Sequence, residues 1–217
     1  MTPSFNLIMD ILGTIAFAIS GSIIAIHKNM DIFGVNFLAI TTATGGGIIR
    51  DLVIGQTPPI TFQNPRYVFL SILTANIVFL LIHLDRKHHK ITTQTHQVYE
   101  HLLFWCDTLG LAAFSIDGVS AGIYAGYESN LFLLTFLGTV TGVGGGVLRD
   151  IIANEMPNIC IKHIYALASI CGSLLAAVLW SRVTPNQALL WGFCITILIR
   201  WLAKYFEWNL PKLPDEK

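Results

Sequence analysis

Two copies of one phrase hold most of the chemistry this chain has available. Gly45-Gly46-Gly47-Ile48-Ile49-Arg50-Asp51 recurs as Gly144-Gly145-Gly146-Val147-Leu148-Arg149-Asp150. In each copy a Thr stands three residues before the first Gly (Thr42, Thr141), and a Pro follows seven residues after the Asp (Pro58, Pro157). Each glycine costs a helix about 1 kcal/mol relative to Ala, so a triplet is a place for a helix to break. A break inside an apolar stretch frees backbone carbonyl oxygens, and carbonyls can replace the hydration shell of K+ or Na+. Such backbone is tolerated at membrane depth only where it is buried in protein or lines a wet cavity. The plainer alternative is that the glycines let two helices pack closely.

The ionisable residues near these triplets narrow the chemistry. A charge at the centre of a membrane helix costs about 2.5–3.5 kcal/mol, so each needs a partner or water. Arg50 with Asp51 and Arg149 with Asp150 read as clamps that hold the bends; unpaired, the arginines would repel a cation or hold a carboxylate. Asp117 lies in the middle of an apolar stretch, and its counterpart in the first copy is Ser20. That break in symmetry marks Asp117 as a cation-attracting or gating carboxylate. Asp10 and Asp107 are repeat mates and secondary candidates, with snorkelling to the interface as their plainer role.

The elements that position these residues are membrane spans. Of the 217 residues 53% are hydrophobic and 12% charged, about half the charge of a soluble domain, and the mean hydropathy is +0.63. Spans of about 20 apolar residues fall at 6–26, 33–54, 66–84, 102–123, 130–153, 160–181 and 186–206. The expected fold is therefore an all-α membrane protein with seven transmembrane helices. The first span is not read as a signal peptide: Asp10 interrupts it and its leader lacks Lys or Arg. Asp10, Leu12, Gly13, Ala16, Phe17 and Gly21 match Asp107, Leu109, Gly110, Ala113, Phe114 and Gly118 at an offset of 97 residues, and the glycine phrase repeats at 99. Two three-helix repeats follow, at 1–84 and 101–181, joined by a polar linker at 85–100 and trailed by a seventh helix and tail at 182–217. Three is odd, so the second repeat enters from the opposite face, an inverted arrangement typical of transport proteins with the site at the repeat interface. The second and fifth spans then bring the two triplets together near the midplane.

Basic residues set the orientation. With the N-terminus outside, the inner segments carry Lys28, Arg86, Lys87, Lys90, Lys162, Arg200, Lys204, Lys212 and Lys217, and the outer loops only Arg66 and Arg182, as the positive-inside rule requires. Trp180 and Trp191 fall at the outer interface; Trp105, Trp201 and Trp208 fall at the inner one. The histidines cluster on the inner side without metal-site spacing. Cys106, Cys160, Cys171 and Cys194 read as small buried hydrophobes rather than disulfides or zinc ligands. Zero net charge gives no basic stripe for nucleic acid. No Ser/His/Asp arrangement, phosphate loop or zinc motif points to an enzyme, and no cofactor is implied beyond a permeant cation.

The doubled Gly-Gly-Gly-x-x-Arg-Asp phrase in a seven-span chain of this length resembles the prokaryotic trimeric intracellular cation (TRIC) channel family, over essentially the whole chain. The resemblance implies a homotrimer in a bacterial or archaeal cytoplasmic membrane. Each protomer would carry its own pore around bent second and fifth spans, passing K+ and, less selectively, Na+. By position the bends fall at Gly45, Gly46 and Gly47 and at Gly144, Gly145 and Gly146, with the two Arg-Asp pairs beside them. Animal members have a Lys-Glu-Val segment at the pore bend, where this chain has glycine and Arg-Asp. The alternative from another class is a carrier for a small amino acid such as glycine. It would hold the substrate carboxylate with a half-helix N-terminus and an Arg while the repeats rock about it.

Overall fold

A computed structural model describes residues 3–88, 93–161 and 164–208. In chain order the helices are α1 (Pro3–His27), α2 (Ile32–Val53), α3 (Ile60–Gln63), α4 (Arg66–His88), α5 (Thr93–Tyr124), α6 (Leu131–Ile152), α7 (Asn158–Ile161), α8 (Tyr165–Leu179) and α9 (Pro185–Tyr205), with no strand among the described residues. Six of them, α1, α2, α4, α5, α6 and α9, are long and apolar enough to cross a membrane. The stretch expected as a span at 160–181 is instead the 15-residue α8, about 22 Å long. Ile164 takes φ 41, a left-handed conformation in which no helix can propagate, so the preceding apolar residues cannot extend α8. Helix also runs into both ends of the polar 85–100 stretch, while residues 89–92 lie outside the described ones. So do the side chains of Arg86, Lys87, His88, His89, Lys90, His96, Lys162, His163, Lys212 and Lys217, on which much of the charge asymmetry rests.

The centre is built from α1, α2, α5 and α6; α4 packs on α1 and α2, while α8 and α9 pack on each other and on the second pair. Close approach at small residues makes this possible. A Cβ on Gly21 would lie 2.7 Å from Thr42 Oγ1, and one on Gly118 would lie 2.5 Å from Thr141 Oγ1. These glycines join α1 to α2 and α5 to α6. Phe17 and Phe114 meet across α1 and α5 with ring centroids 5.3 Å apart. Several buried hydroxyls are satisfied by turning back on their own helices, as Thr42 does to Leu38 O and Thr141 to Leu137 O, both at 2.6 Å. Large apolar side chains such as Phe33, Phe69, Leu81 and Phe132 face outward, the pattern of a helical chain whose solvent is hydrocarbon.

The glycine triplets do not break their helices. Both α2 and α6 run uninterrupted through them. The triplets mark where these two helices cross: a Cβ on Gly46 would sit 2.1 Å from Thr141 O, and one on Gly145 would sit 2.0 Å from Thr42 O. Thr42 opposes Gly145 and Thr141 opposes Gly46, so numbering rises along one helix as it falls along the other. The two pass in opposite directions. In an apolar medium an intact helix keeps every backbone bond, and the backbone-to-backbone crossing offsets the low helix propensity of glycine. Close packing, not freed carbonyls, is the role that Gly45, Gly46, Gly144 and Gly145 fill here, while Gly47 and Gly146 lie beside Arg50 and Tyr165.

The ends of α2 and α6 repeat each other as well. Asp31 Oδ1 accepts from Gly34 N at 2.8 Å, and Asn130 Oδ1 accepts from Leu133 N at 3.0 Å, so each helix has a side-chain N-cap. Just past the C-termini, Gly55 (φ 76) and Asn154 (φ 54) are both left-handed, the conformation that releases a chain from a helix. Asn154→Ala is expected to lose about 1 kcal/mol, because alanine lacks the short polar side chain that lets asparagine tolerate that region. Asn154→Gly, with no Cβ, is expected to lose nothing, as read by melting in detergent. Among the cysteines only Cys106 is buried; Cys160, Cys171 and Cys194 are exposed. Small hydrophobes need no protein cover when the surrounding solvent is lipid.

Candidate functional site

Two charged chambers flank the α2–α6 crossing. Arg50 leaves α2 one turn beyond Gly46, and its Nε donates to Asp51 Oδ1 at 2.9 Å. Its Nη1 reaches across to Asp117 Oδ2 on α5. The other oxygen of Asp51 accepts from the backbone N–H of Ile60, at the start of α3, at 2.8 Å. The Arg-Asp pair therefore ties α2 to the loop that follows it and to the opposite half of the chain. Asp10 on α1 is the neighbour of Asp117 and accepts from Tyr67 Oη at 2.9 Å. These groups wall a cavity of about 350 Å³ with Asn6, Thr14, Thr44, Gly47, Gln56 and Ser120. Asn6 Nδ2 donates to Ser120 Oγ at 3.0 Å.

The second chamber is built by the same rules from the repeat mates. Arg149 Nε donates to Asp150 Oδ1 at 2.9 Å, and Asp150 Oδ2 accepts from Asn158 N at 2.8 Å at the start of α7. Arg149 Nη1 touches Ser20 Oγ, the counterpart of the Asp117 contact, and also donates to Asp107 Oδ1 at 2.7 Å. Arg200 of α9, which has no mate in the first half, lies 3.9 Å from Asp107 Oδ2. Its guanidinium lies over the rings of Phe104 (4.9 Å) and Tyr165 (4.6 Å). Lys204 lies over Phe104 at 3.8 Å. The adjoining cavity is about 320 Å³ and is lined by Glu100, His101, Asp107, Asn158, Tyr165 and Lys204 among others.

The expected site residues thus divide three ways. Asp10, Gly47, Arg50, Asp51 and Asp117 gather at the first chamber, and Asp107, Arg149 and Asp150, with Gly146 beside Tyr165, gather at the second. Gly45, Gly46, Gly144 and Gly145 lie in the crossing. Asp107 and Asp117 are ten residues apart on α5, so the chambers are about 15 Å apart along that helix. Sequence reasoning missed Tyr67 and Tyr165, although their offset of 98 falls between those of the two matched phrases. It also missed Arg200 as a partner of Asp107.

Formal charge differs between the chambers. The first sets one arginine (Arg50) against three carboxylates (Asp10, Asp51, Asp117), and the second sets Arg149, Arg200 and Lys204 against Asp107, Asp150 and Glu100. A surplus of carboxylate favours cations in the first chamber, while the second is balanced by its own side chains. Among the described residues, no group of three or more His, Cys, Asp or Glu has the arrangement of a metal site.

Comparison with known proteins places this architecture. A family model described as glycine transporter matches twice, over residues 7–83 and 104–181. A UPF0126 membrane protein of Deinococcus radiodurans is 33% identical over 211 residues, covering 95% of this chain and 92% of its own length. The UPF0126 inner membrane protein YadS of Escherichia coli is 35% identical over 208 residues, covering 95% and 93%. Among solved structures, one concerned with conductance through TRIC cation channels superposes with a TM-score of 0.82 at 33% identity over 100% of both chains. The TRIC trimeric intracellular cation channel orthologue from Rhodobacter sphaeroides gives a TM-score of 0.82 at 28% identity, covering 94% of this chain and 98% of its own.

Proposed function

Because the chain belongs to the prokaryotic TRIC channel family, we propose that it is a cation channel of the cytoplasmic membrane rather than an enzyme, passing K+ and, less selectively, Na+. The observation that carries this reading is the pair of charged chambers on either side of the α2–α6 crossing, the first with a surplus of carboxylate. A cation entering the first chamber meets Asp117 and Asp10, passes the crossing at Gly46 and Gly145, and leaves by way of Asp107. The crossing is closed by backbone contact, so conduction requires α2 and α6 to part by a small displacement. Helices joined by glycine and carbonyl rather than by interlocked side chains can do that. The carbonyls of Thr42 and Thr141, which face the crossing, are the backbone oxygens that a passing cation would meet there.

The same reading takes α8 as a short seventh span, with α1, α2 and α4 forming one repeat and α5, α6 and α8 its inverted mate. The double match of the family model and the antiparallel crossing support that division. The N-terminus is then outside and the C-terminus cytoplasmic. Three protomers assemble, each with its own pathway, and the outward-facing apolar side chains divide between lipid and neighbouring protomers. No cofactor takes part; the permeant cation is the only ligand.

The name of the family model favours a second reading, a carrier of glycine. Such a carrier needs a cation free to hold the substrate carboxylate. Arg50 and Arg149 are each engaged by two carboxylates, which weighs against it. Purified protein in liposomes separates the two: single-channel K+ currents are expected, and saturable glycine uptake without current would replace the channel by the carrier.

A further inference from the structure

The two halves hold the same arginine in two different ways. Arg149 forms an ion pair with Asp107, the carboxylate of its own repeat, and touches Ser20 of the other. Arg50 forms its ion pair with Asp117, which stands where the other half has Ser20. Asp10, the mate of Asp107, instead accepts from Tyr67 at 2.9 Å. The chain thus displays the arginine of one motif on both of its available carboxylate positions, once in each half. Ser20 cannot take an ion pair, so Arg149 has one seat. Asp10 and Asp117 are neighbours in the first cavity, so Arg50 has two.

Resting on the conduction reading above, we infer that Arg50 is a tethered cation occupying, on Asp117, the seat of a permeating ion. When an ion takes that seat, Arg50 moves to Asp10. A guanidinium and a permeant cation carry the same charge and compete for one carboxylate. With Arg50 on Asp117 that carboxylate is neutralised while Asp10, which lines the same cavity, is held by Tyr67, and the pathway is shut at its mouth. With Arg50 on Asp10, in the arrangement Arg149 already shows with Asp107, Asp117 is exposed to the cavity and draws a cation in. Asp51 stays on Arg50 in both positions because it holds Nε and Nη2, leaving Nη1 as the group that changes partner. The side chain of Asp117 is 20% exposed against 8% for Arg50, so the seat is accessible to an arriving ion. Asp10 is then a positioning residue that acts through Arg50, and the cation to be tested is K+ itself.

Recordings from the wild-type protein in planar bilayers test this without any substitution. Open probability is expected to rise with K+ concentration and saturate, because K+ competes with Arg50. Asp10→Asn, which removes the second seat, is expected to lower open probability about tenfold at a given K+ concentration, the size of a moderate population shift. Arg50→Gln is expected to abolish the K+ dependence of open probability, and Asp10→Asn added to it to lower open probability no further, since both set open probability through one side chain. A change in unit conductance from Asp10, which lines the cavity, is read separately. Open probability independent of K+ in the wild type would overturn the inference, as would an Asp10→Asn effect of equal size with and without Arg50. Absence of any K+ current from the wild type would instead overturn the conduction reading itself. If a variant does not assemble, the wild-type K+ dependence still decides.

Discussion

Alanine at Gly46 or at Gly145 is expected to destabilise the protein severely, while alanine at Gly47, the next residue, is expected to be tolerated. The added Cβ at 46 would lie 2.1 Å from Thr141 O and that at 145 would lie 2.0 Å from Thr42 O. The obstacle in both cases is a backbone carbonyl of a facing helix, which cannot rotate away as a side chain would. The helices must separate by more than an ångström, loosening the surrounding contacts of Gly45 with Leu148 and of Gly144 with Gly46. Overpacking of a well-packed site costs about 1–3 kcal/mol, and a rigid carbonyl puts these two substitutions at the upper end. At Gly47 the nearest atom is Arg50 Nη2 at 3.8 Å, so alanine gains about 1 kcal/mol of helix propensity with no clash. Melting of the three variants in detergent measures the contrast. Equal melting temperatures would mean that the crossing is not the tight contact described.

That contrast within one triplet also shows what was legible beforehand. The repeat, the places where it concentrates, and most of the spans are visible in the residues, because hydropathy and a long duplicated motif survive without tertiary context. The role of the glycines is not. A triplet lowers helix propensity by the same amount whether the helix breaks or is pressed against another. What decides is the Thr carbonyl lying opposite, contributed by a residue almost a hundred positions away. The shortness of α8 is hidden for a similar reason: Ile-Cys-Ile is apolar enough for a span, and nothing in it announces the left-handed conformation at Ile164.

The site was legible one residue at a time and illegible in its pairing. Asp117 stands out because its mate is Ser20, and the Arg-Asp dipeptides stand out because they are charged and duplicated. That Arg50 reaches Asp117, and Arg149 reaches Ser20, follows from the way the halves face each other: each arginine crosses to the other repeat. Tyr67 and Tyr165 carry no signal of their own, since a tyrosine at the end of a span is what an interface belt also requires. Only their shared offset identifies them.

Arg149→Gln is expected to be among the most damaging single changes in the chain, and Arg50→Gln distinctly milder, although the two arginines are repeat mates. Arg149 is 1% exposed and holds Asp107 and Asp150, themselves 4% and 1% exposed. Removing it leaves two buried carboxylates facing each other; breaking a buried pair in this way costs about 3–5 kcal/mol. Arg200 cannot replace it: at 3.9 Å from Asp107, on another helix, it does not reach the position from which Arg149 holds Asp150. Lysine restores one charge but not the fork that serves Asp150, Asp107 and Ser20 together, so Arg149→Lys should fall between glutamine and wild type. Around Arg50 the buried Asp51 loses its guanidinium just as Asp150 does. The other partner, Asp117, borders a cavity of about 350 Å³, where water can take over part of its solvation, so the loss should be smaller than at Arg149. Melting of the four proteins in detergent orders them as wild type, Arg50→Gln, Arg149→Lys and Arg149→Gln, in falling stability. Arg149→Gln melting above Arg50→Gln would place the water on the other side of the crossing. The surplus carboxylates of the first chamber would then be sealed in protein, and the mouth of a cation pathway would have to be sought at Asp107.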